Sequence, residues 1–415
     1  MDAARWLASM LLALAPVLAA HAEPDEATLG KGLGYPVGTA ANWYVNPYRV
    51  GSWSAMDQVK GLPTRKVDRG AGPVTPLPVA TQPPVIRYRY RNVDYTLDDY
   101  LERQRVSGLL ILKDGEIIAE RYRYGRVPDA RFLSFSMAKS VVSMLVGVAL
   151  EQGLIASLDD PAEKYAAELA GSAYGATTIR HLLRMSSGLV FTERYDGTDD
   201  IARLSRSADT GRPTTVQLLR SITDRHSAGG EKFVYASAET EILARVLAGA
   251  SGRSAAQLTS EWLWQPLGAE RDAFWVLSHD GHERSWGFFN ASLRDWARLG
   301  LMLAGDGRVA DRQVVPRGYL LEATDVPRQP PAFRPNRATP YFGYGYQFWL
   351  FPMRERTFAM QGVHGQALFV QPASGIVMVQ TAVNEAASVQ QDPQPLLERD
   401  AFWRGVLKSL GGTVD

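Results

Sequence analysis

Two pairs of short apolar runs, one on each side of the middle of the chain, predict two antiparallel β-hairpins. Residues 109–112 and 117–119 are apolar and are joined through an Asp-Gly turn sequence. Residues 367–370 and 376–379 are likewise apolar and flank the sequence Pro-Ala-Ser-Gly. Because aspartate, proline and glycine favour the backbone angles of tight turns, each pair is expected to fold back on itself.

Between and after the hairpins, apolar residues recur with the spacing of amphipathic helices. Glycines close three of these patterns, at Gly153, Gly249 and Gly305. The predicted helices span residues 136–152, 178–185, 238–247, 293–303 and 396–410. The order of hairpin, helices and hairpin predicts an α+β fold. In this fold an antiparallel sheet is flanked by helices, and a mostly helical domain is inserted at about residues 154–270.

The segment before the first hairpin has a different composition. Residues 1–22 combine a positive charge, an apolar run and the sequence Ala-His-Ala, which predicts a signal peptide and an exported protein, periplasmic or secreted. A membrane anchor is the alternative, but the apolar run is short and contains Pro16. Residues 23–96 are rich in glycine and proline, which predicts an irregular arm lying over a domain at residues 97–415.

Within this arm, residues 42–48 are strongly aromatic. They are expected either to pack the arm on the domain or to line a pocket. No segment beyond the predicted signal peptide is apolar over the length of a bilayer span, so the mature protein is expected to have no stable membrane span.

Composition narrows the class of function. The chain is 46% hydrophobic and 21% charged, values typical of a globular protein. Its formal net charge of +1 does not indicate a nucleic-acid partner. Because the chain has no cysteine, it has no disulfide, no thiolate nucleophile and no cysteine metal ligand.

Candidate chemistry begins with Ser136 and Lys139 at the start of the predicted helix 136–152. Residues three apart on a helix share a face, so the Lys139 amine can reach the Ser136 hydroxyl. A lysine whose pKa is lowered by burial can activate a serine as a nucleophile, and the helix N-terminus favours negative charge nearby. The alternative is an ordinary buried helix start with a lysine that extends to solvent.

Three further stretches bear on this serine. Tyr235 precedes a predicted helix and is a candidate proton shuttle, because a neighbouring ammonium would lower the pKa of its phenol. Residues 362–365, Gly-Val-His-Gly, would let a backbone N–H approach a substrate carbonyl and form an oxyanion hole with the Ser136 N–H. Residues 188–195 form a loop that could wall a pocket. The alternatives are a structural tyrosine and a glycine-marked strand start.

Taken in chain order, these blocks resemble the serine β-lactamase-like superfamily. The resemblance rests on Ser-Met-Ala-Lys at residues 136–139, on residues 179–189, on Tyr-Ala-Ser at residues 235–237 and on the glycine-histidine-glycine strand. It covers residues from about 40 to 405. Within the superfamily the chain is similar to the class C and esterase branch, and most of all to 6-aminohexanoate-dimer hydrolases. The resemblance implies a β-lactamase/transpeptidase-like fold.

The resemblance also implies a role for each matching residue. Ser136 would be the acylated nucleophile, Lys139 its general base, and Tyr235 the group that relays the proton to the leaving group. The backbone N–H groups of Ser136 and Val363 would form the oxyanion hole. Ser237 would contact the substrate or the lysine, and Tyr195 and Trp349 would wall the pocket. His364 is a further candidate for contact with the substrate.

One departure from the superfamily affects the expected substrate. Members that act on β-lactams or peptidoglycan carry Lys-Thr-Gly beside the site, whereas residues 358–362 contain no lysine. Without that cation, burial of a substrate carboxylate would be costly. We therefore expect a serine hydrolase of small-molecule amides or esters that needs no metal or organic cofactor. His279 and His282 are expected on a surface loop rather than at a metal.

Three alternatives remain from the residues and the resemblance. A carboxylesterase and a β-lactamase or D,D-peptidase-like enzyme would use the same serine on other substrates. A catalytically inert binding protein on the same fold is the third. The joint presence of Ser136, Lys139 and Tyr235 argues against a binding protein, because binding alone does not require all three residues.

Overall fold

A seven-stranded antiparallel sheet forms the centre of the computed structural model, which describes residues 23–415. The predicted signal peptide, residues 1–22, lies outside the described residues. Along residues 23–415 the strands are β1 (Thr64–Val67), β2 (Arg87–Tyr90), β3 (Val93–Thr96), β4 (Val106–Lys113), β5 (Glu116–Tyr122), β6 (Arg131–Leu133), β7 (Ala273–Val276), β8 (Phe289–Ser292), β9 (Arg308–Val309), β10 (Arg312–Gln313), β11 (Gly343–Tyr344), β12 (Trp349–Leu350), β13 (Phe358–Gly362), β14 (Gln366–Gln371) and β15 (Ile376–Ala382).

The α-helices of the same part of the chain lie on both sides of this sheet and in the region between the two predicted hairpins. They are α1 (Arg49–Ser52), α2 (Leu97–Arg103), α3 (Met137–Glu151), α4 (Ile179–Leu183), α5 (Asp200–Thr210), α6 (Thr215–Ser221), α7 (Ser237–Ser251), α8 (Ala255–Leu258), α9 (Gln265–Leu267), α10 (Leu293–Ala304), α11 (Arg317–Thr324) and α12 (Gln394–Ser409).

The two predicted hairpins are confirmed and stand side by side in the large sheet. Its strand order is β11-β12-β13-β14-β15-β4-β5, and β15 pairs antiparallel with β4. The β4–β5 and β14–β15 pairs are the hairpins expected from the sequence. A smaller sheet has the order β1-β7-β8-β6, so the arm, residues 23–96, contributes strand β1 to it and also forms the β2–β3 ribbon.

Strand β4 is apolar on both faces because helices cover both sides of the sheet. Leu109 and Ile111 belong to a core that includes residues of α12, whereas Leu110 and Leu112 belong to a core that includes residues of α3 and α10. Burial of each of these side chains contributes about 1.5–3 kcal/mol. A strand enclosed in this way reads as a continuous apolar run, which is how residues 109–112 appear in the sequence.

The regular elements between residues 154 and 270 are helical, α4 to α9 with short 3₁₀ and π turns. One predicted boundary here is wrong. Helix α7 does not stop near Gly249 but continues to Ser251 and ends at Gly252, whose φ of 67° is left-handed. A Cβ at position 249 would lie 1.9 Å from the Tyr165 carbonyl oxygen, so Gly249 permits close packing rather than ending the helix.

The aromatic segment of the arm packs on the domain. Trp43 lies edge-on to Phe288, and Tyr44 lies edge-on to Phe135. Within residues 23–415, no helix combines the length and the apolar composition that crossing a bilayer requires.

Helix α3 is the element that positions the candidate nucleophile. Its bounds match the prediction, with Ser136 at the N-cap, and every residue from Met137 to Ala149 is buried. The helix contacts α7, α11 and β13. A helix enclosed by neighbours has little freedom to shift, so its N-terminus holds Ser136 in a fixed place between the sheet and the helical region.

Candidate active site

Ser136 occupies the short connection between β6 and α3. Strand β6 ends at Leu133, and Phe135, just before the serine, has a left-handed φ of 43°. Ser136 itself is partly exposed, although the helix that follows it is buried. The chain therefore presents this hydroxyl at a surface while the rest of α3 stays in the core.

Lys139 lies directly beside this serine, as its spacing predicts. Its Nζ is 2.9 Å from the Ser136 Oγ and donates a second hydrogen bond, of 2.6 Å, to the Trp286 carbonyl oxygen. The side chain is 1% exposed. Burial lowers the pKa of Lys139 to about 8, although the Glu193 carboxylate acts in the opposite direction. An amine with this pKa is available as a base near neutral to mildly alkaline pH.

Tyr235 completes the group, with one correction to the prediction. The Lys139 Nζ lies 5.0 Å from the centre of the Tyr235 ring, and Trp349 stacks on that ring at 5.6 Å. Burial raises the pKa of Tyr235 well above its usual value, the Glu193 carboxylate adds to the rise, and a hydrogen bond with Ser136 only partly offsets it. The expected lowering of this pKa was wrong because desolvation of the buried phenol dominates and the Glu193 carboxylate acts in the same direction. The phenol therefore keeps its proton, as a proton donor must.

The end of strand β13 lies close to Ser136, and Val363 is the residue that follows this strand. A Cβ on Gly362, the last residue of β13, would lie 3.0 Å from the Ser136 nitrogen and 2.4 Å from the Ser134 carbonyl oxygen. Among the described residues, neither the Ser136 nor the Val363 N–H donates to a protein acceptor. Two free amides on neighbouring backbones are suited to an oxyanion, and their assignment as the oxyanion hole stays a prediction.

Ser237 and Tyr195 converge on a carboxylate, Glu193, that none of the sequence motifs indicates. The Ser237 N–H and hydroxyl each donate to Glu193 at 2.8 Å, and the Tyr195 hydroxyl donates to it at 2.6 Å. The hydroxyl of Ser237 is therefore engaged by Glu193 rather than by Lys139. Glu193 belongs to the loop predicted to wall a pocket, and an acidic residue two positions before Tyr195 was the signal available in the sequence.

His364 is not free to bind a substrate. Its Nδ1 lies 2.8 Å from the Asn384 carbonyl oxygen, and its Nε2 is hydrogen bonded to the Tyr44 hydroxyl. The side chain is 2% exposed, and burial lowers its pKa to about 4. Both ring nitrogens are thus taken up by protein groups, which corrects the predicted substrate contact.

Within residues 23–415 no cluster of three histidine or acidic side chains is arranged to hold a metal ion.

The fold and this serine-lysine-tyrosine group define a known class of protein. The sequence pattern of the family described as Beta-lactamase matches residues 93–394. The chain belongs to the β-lactamase family.

Its relatives narrow this class further. The chain is 28% identical over 363 residues to 6-aminohexanoate-dimer hydrolase of Paenarthrobacter ureafaciens, an alignment of 84% of this chain and 88% of that protein. The "Putative 6-aminohexanoate-dimer hydrolase" of Bacillus anthracis has a similar structure, with a TM-score of 0.79, 20% identity and coverage of 89% of this chain and 97% of that one. The structure of EstCE1, a hydrolase with promiscuous acyltransferase activity, gives a TM-score of 0.58 at 17% identity, with coverage of 74% and 96%. These findings make the chain a hydrolase.

Proposed function

We propose that this hydrolase cleaves a small-molecule amide or ester in two acyl-transfer steps at Ser136. The observation that supports this most directly is the 2.9 Å contact between the Ser136 hydroxyl and the buried Lys139 amine. A serine hydroxyl is a weak nucleophile at neutral pH and needs an adjacent base. The depressed pKa of Lys139, about 8, supplies a base that is partly neutral under ordinary conditions.

In the first step neutral Lys139 takes the Ser136 proton while the serine oxygen attacks the substrate carbonyl. The negative charge that develops on the carbonyl oxygen is received by the N–H groups of Ser136 and Val363. General-base assistance of this kind contributes about 10²–10⁴-fold, and each oxyanion donor about 10²–10³-fold. The positive end of α3 favours the same charge.

Collapse of the tetrahedral adduct expels the amine or alcohol and leaves an acyl group on Ser136. Tyr235 donates the proton that the leaving group requires and regains one from the Lys139 ammonium. Water then repeats the sequence, attacking the acyl-enzyme with Lys139 as base, and the acid is released. The net reaction consumes one water and regenerates all three side chains.

The charges around the site favour a substrate without a buried carboxylate. Strand β13 provides no lysine, and the Glu193 carboxylate lies close enough to affect the pKa values of Lys139 and Tyr235. An anionic acyl group placed here would be repelled by Glu193 and would lose its hydration. The Paenarthrobacter relative is named a hydrolase of the 6-aminohexanoate dimer, in which an amide joins the two units, and this name supports an amide substrate.

The composition of residues 1–22 supports export, so we propose that the enzyme acts outside the cytoplasm. Expression of the full chain with compartment fractionation tests this. Mature protein that begins at Glu23 and is found outside the cytoplasm is the expected result. Unprocessed protein in the cytoplasm would contradict it.

The proposed chemistry is tested by intact-mass spectrometry after treatment with a fluorophosphonate, which phosphonylates activated serines. We expect the wild type to gain one adduct and Ser136→Ala to gain none, with Ser140→Ala as the control because Ser140 lies one turn along the same helix. A panel of linear amides, short-chain esters and nitrocefin then assigns the substrate class. Turnover of nitrocefin would favour a β-lactamase, and turnover of esters alone a carboxylesterase. A wild type that is neither labelled nor active would favour the inert binding protein.

A further inference from the structure

Four aromatic rings meet beside the two amides proposed to bind the oxyanion. Tyr44 and Trp53 come from the N-terminal arm, whereas Phe135 and His364 come from the domain. The Trp53 ring centre lies 4.8 Å from that of Phe135 and 4.9 Å from that of His364. Tyr44 touches the same two rings, at 6.3 Å and 5.2 Å, and the two domain rings lie 5.4 Å apart. The arm therefore contacts both domain residues at once.

These two domain residues are the sequence neighbours of the proposed oxyanion donors. Phe135 immediately precedes Ser136, and His364 immediately follows Val363. Both have left-handed backbones, with φ of 43° and 61°. Side chains with a Cβ adopt this region at a cost, and they remain there only where the surroundings hold them. Each proposed oxyanion donor is thus bonded to a residue that needs external support. The Ser136 N–H lies in the peptide group that joins it to Phe135, and Val363 is held between Gly362 and His364.

The hydrogen bonds of His364 hold its imidazole ring in one tautomer and one orientation. The Asn384 carbonyl oxygen can only accept, so the imidazole Nδ1 carries the hydrogen and Nε2 accepts from the Tyr44 hydroxyl. Burial lowers the pKa of His364 to about 4 and raises that of Tyr44 to about 12. Both groups are therefore neutral at ordinary pH, and the Tyr44 hydroxyl remains the donor and the His364 Nε2 the acceptor.

Arg49 fastens the arm at the same place. It is 5% exposed, donates to the Asn384 carbonyl oxygen at 3.2 Å and pairs with Glu385 at 3.0 Å. Its guanidinium also lies 5.0 Å from the Trp53 ring. The carbonyl that orients His364 is therefore held by the arm as well, so the contact is made on both sides of the imidazole.

We propose that Tyr44 and Trp53 of the N-terminal arm are positioning residues for the oxyanion hole, holding the backbone at Phe135 and His364 so that the Ser136 and Val363 N–H groups converge. The inference rests on the proposed acyl-transfer function. The arm residues act on the backbone amides rather than on the substrate. Their loss should therefore reduce stabilisation of the transition state, and so kcat, while the binding of the substrate in its ground state is kept.

Tyr44→Phe is the sharpest variant because it removes only the hydroxyl that donates a hydrogen bond to the His364 Nε2. Tyr35→Phe is its matched control, since it makes the same change in the same arm at a phenol that bonds Glu23 and packs on Tyr124. Both are compared with the wild type by kcat and KM on a substrate from the panel. Inhibition by a trifluoromethyl ketone, which forms a tetrahedral oxyanion adduct on serine, is measured in parallel.

For Tyr44→Phe we expect kcat and ketone affinity to fall together by about tenfold, with KM within twofold. The melting temperature should fall by only a few degrees, because the buried Nε2 of His364 loses its donor while the protein stays folded. Tyr35→Phe should match the wild type in all four measurements. Should Tyr44→Phe fail to fold, Trp53→Phe carries the same test. Among the described residues the Trp53 indole N–H has no hydrogen-bond partner, so that change removes no hydrogen bond.

Unchanged kcat and ketone affinity in a folded Tyr44→Phe or Trp53→Phe protein would overturn the inference, as would equal losses in Tyr35→Phe. These results are separate from failure of the proposed function, which would show as a wild type that the fluorophosphonate does not label at Ser136. A labelled, active wild type with insensitive arm variants refutes only the role of the arm. An unlabelled wild type refutes both.

Discussion

The Nζ of Lys139 lies 2.9 Å from the Oγ of Ser136, and the lysine that makes this contact is almost fully buried. Burial disfavours the ammonium, and the Trp286 carbonyl oxygen partly compensates by accepting one of its hydrogens. Burial makes the charged form of Lys139 costly, and the resulting fall in its pKa makes the lysine useful as a base.

Lys139→Met tests this base without leaving an unpaired charge in the core. We expect kcat/KM to fall about 10²–10⁴-fold, the usual contribution of a general base, while methionine fills the volume of the lysine stem. Circular dichroism melting should show that the variant is at least as stable as the wild type, since a buried cation is removed. Lys408→Met, at an exposed position on α12, is the control and should keep full activity. Full activity in Lys139→Met would contradict the assignment.

The pH dependence of kcat/KM should follow the titration of Lys139. Only the neutral amine can accept the serine proton, so activity is expected to rise with pH through about 8 and to level off above it. Glu193 holds the pKa of Lys139 up, so Glu193→Gln should move the rising limb to lower pH. Glu151→Gln, at an exposed position, serves as the comparison. A limb that stays in place or moves to higher pH in Glu193→Gln would be the contrary result.

Tyr235→Phe should separate amides from activated esters. The variant keeps the ring that stacks on Trp349 and loses only the phenol hydroxyl, the proposed proton donor. A p-nitrophenolate leaves without protonation, whereas an amine cannot, so we expect a loss of about 10²-fold or more for amides and no more than about tenfold for the p-nitrophenyl ester. Tyr344→Phe, in the same aromatic group, should affect both substrates equally. Equal losses for both substrates in Tyr235→Phe would show that the phenol is not the proton donor.

Gly362→Ala tests the close approach of β13 to the serine. The added methyl group would lie 2.4 Å from the Ser134 carbonyl oxygen and 3.0 Å from the Ser136 nitrogen, so one backbone must move. We expect a destabilisation of about 1–3 kcal/mol and a fall in kcat of about 10²-fold or more, measured by urea unfolding and steady-state kinetics. Gly318→Ala is the matched control, because a Cβ there meets no atom within 4 Å. Wild-type kcat in Gly362→Ala would exclude a role for this approach.

The sequence anticipated those features that depend on neighbours along the chain. Turn residues between apolar runs gave the hairpins of β4–β5 and β14–β15, and helical spacing gave α3 and α10 with nearly their observed bounds. The contact between Ser136 and Lys139 was predictable for the same reason, since residues three apart on a helix must lie together.

Contacts between distant parts of the chain could not be read in this way. The loop of Glu193 reaches Ser237 across 44 positions, and Tyr44 reaches His364 across 320. No periodicity in the sequence links such residues. Burial in the folded protein raises the pKa of Tyr235, which reverses the expected change. It also encloses His364, which removes this residue from the set of substrate ligands.

Local chemistry along the chain thus determined the strands, the main helices and the pair formed by Ser136 and Lys139. Only the tertiary structure decided how deeply Lys139 is desolvated, which carboxylate acts on it and that the N-terminal arm lies against the proposed oxyanion hole. The physical reason is that backbone propensity acts over a few residues, whereas desolvation and electrostatic interaction depend on what the whole fold packs around each group.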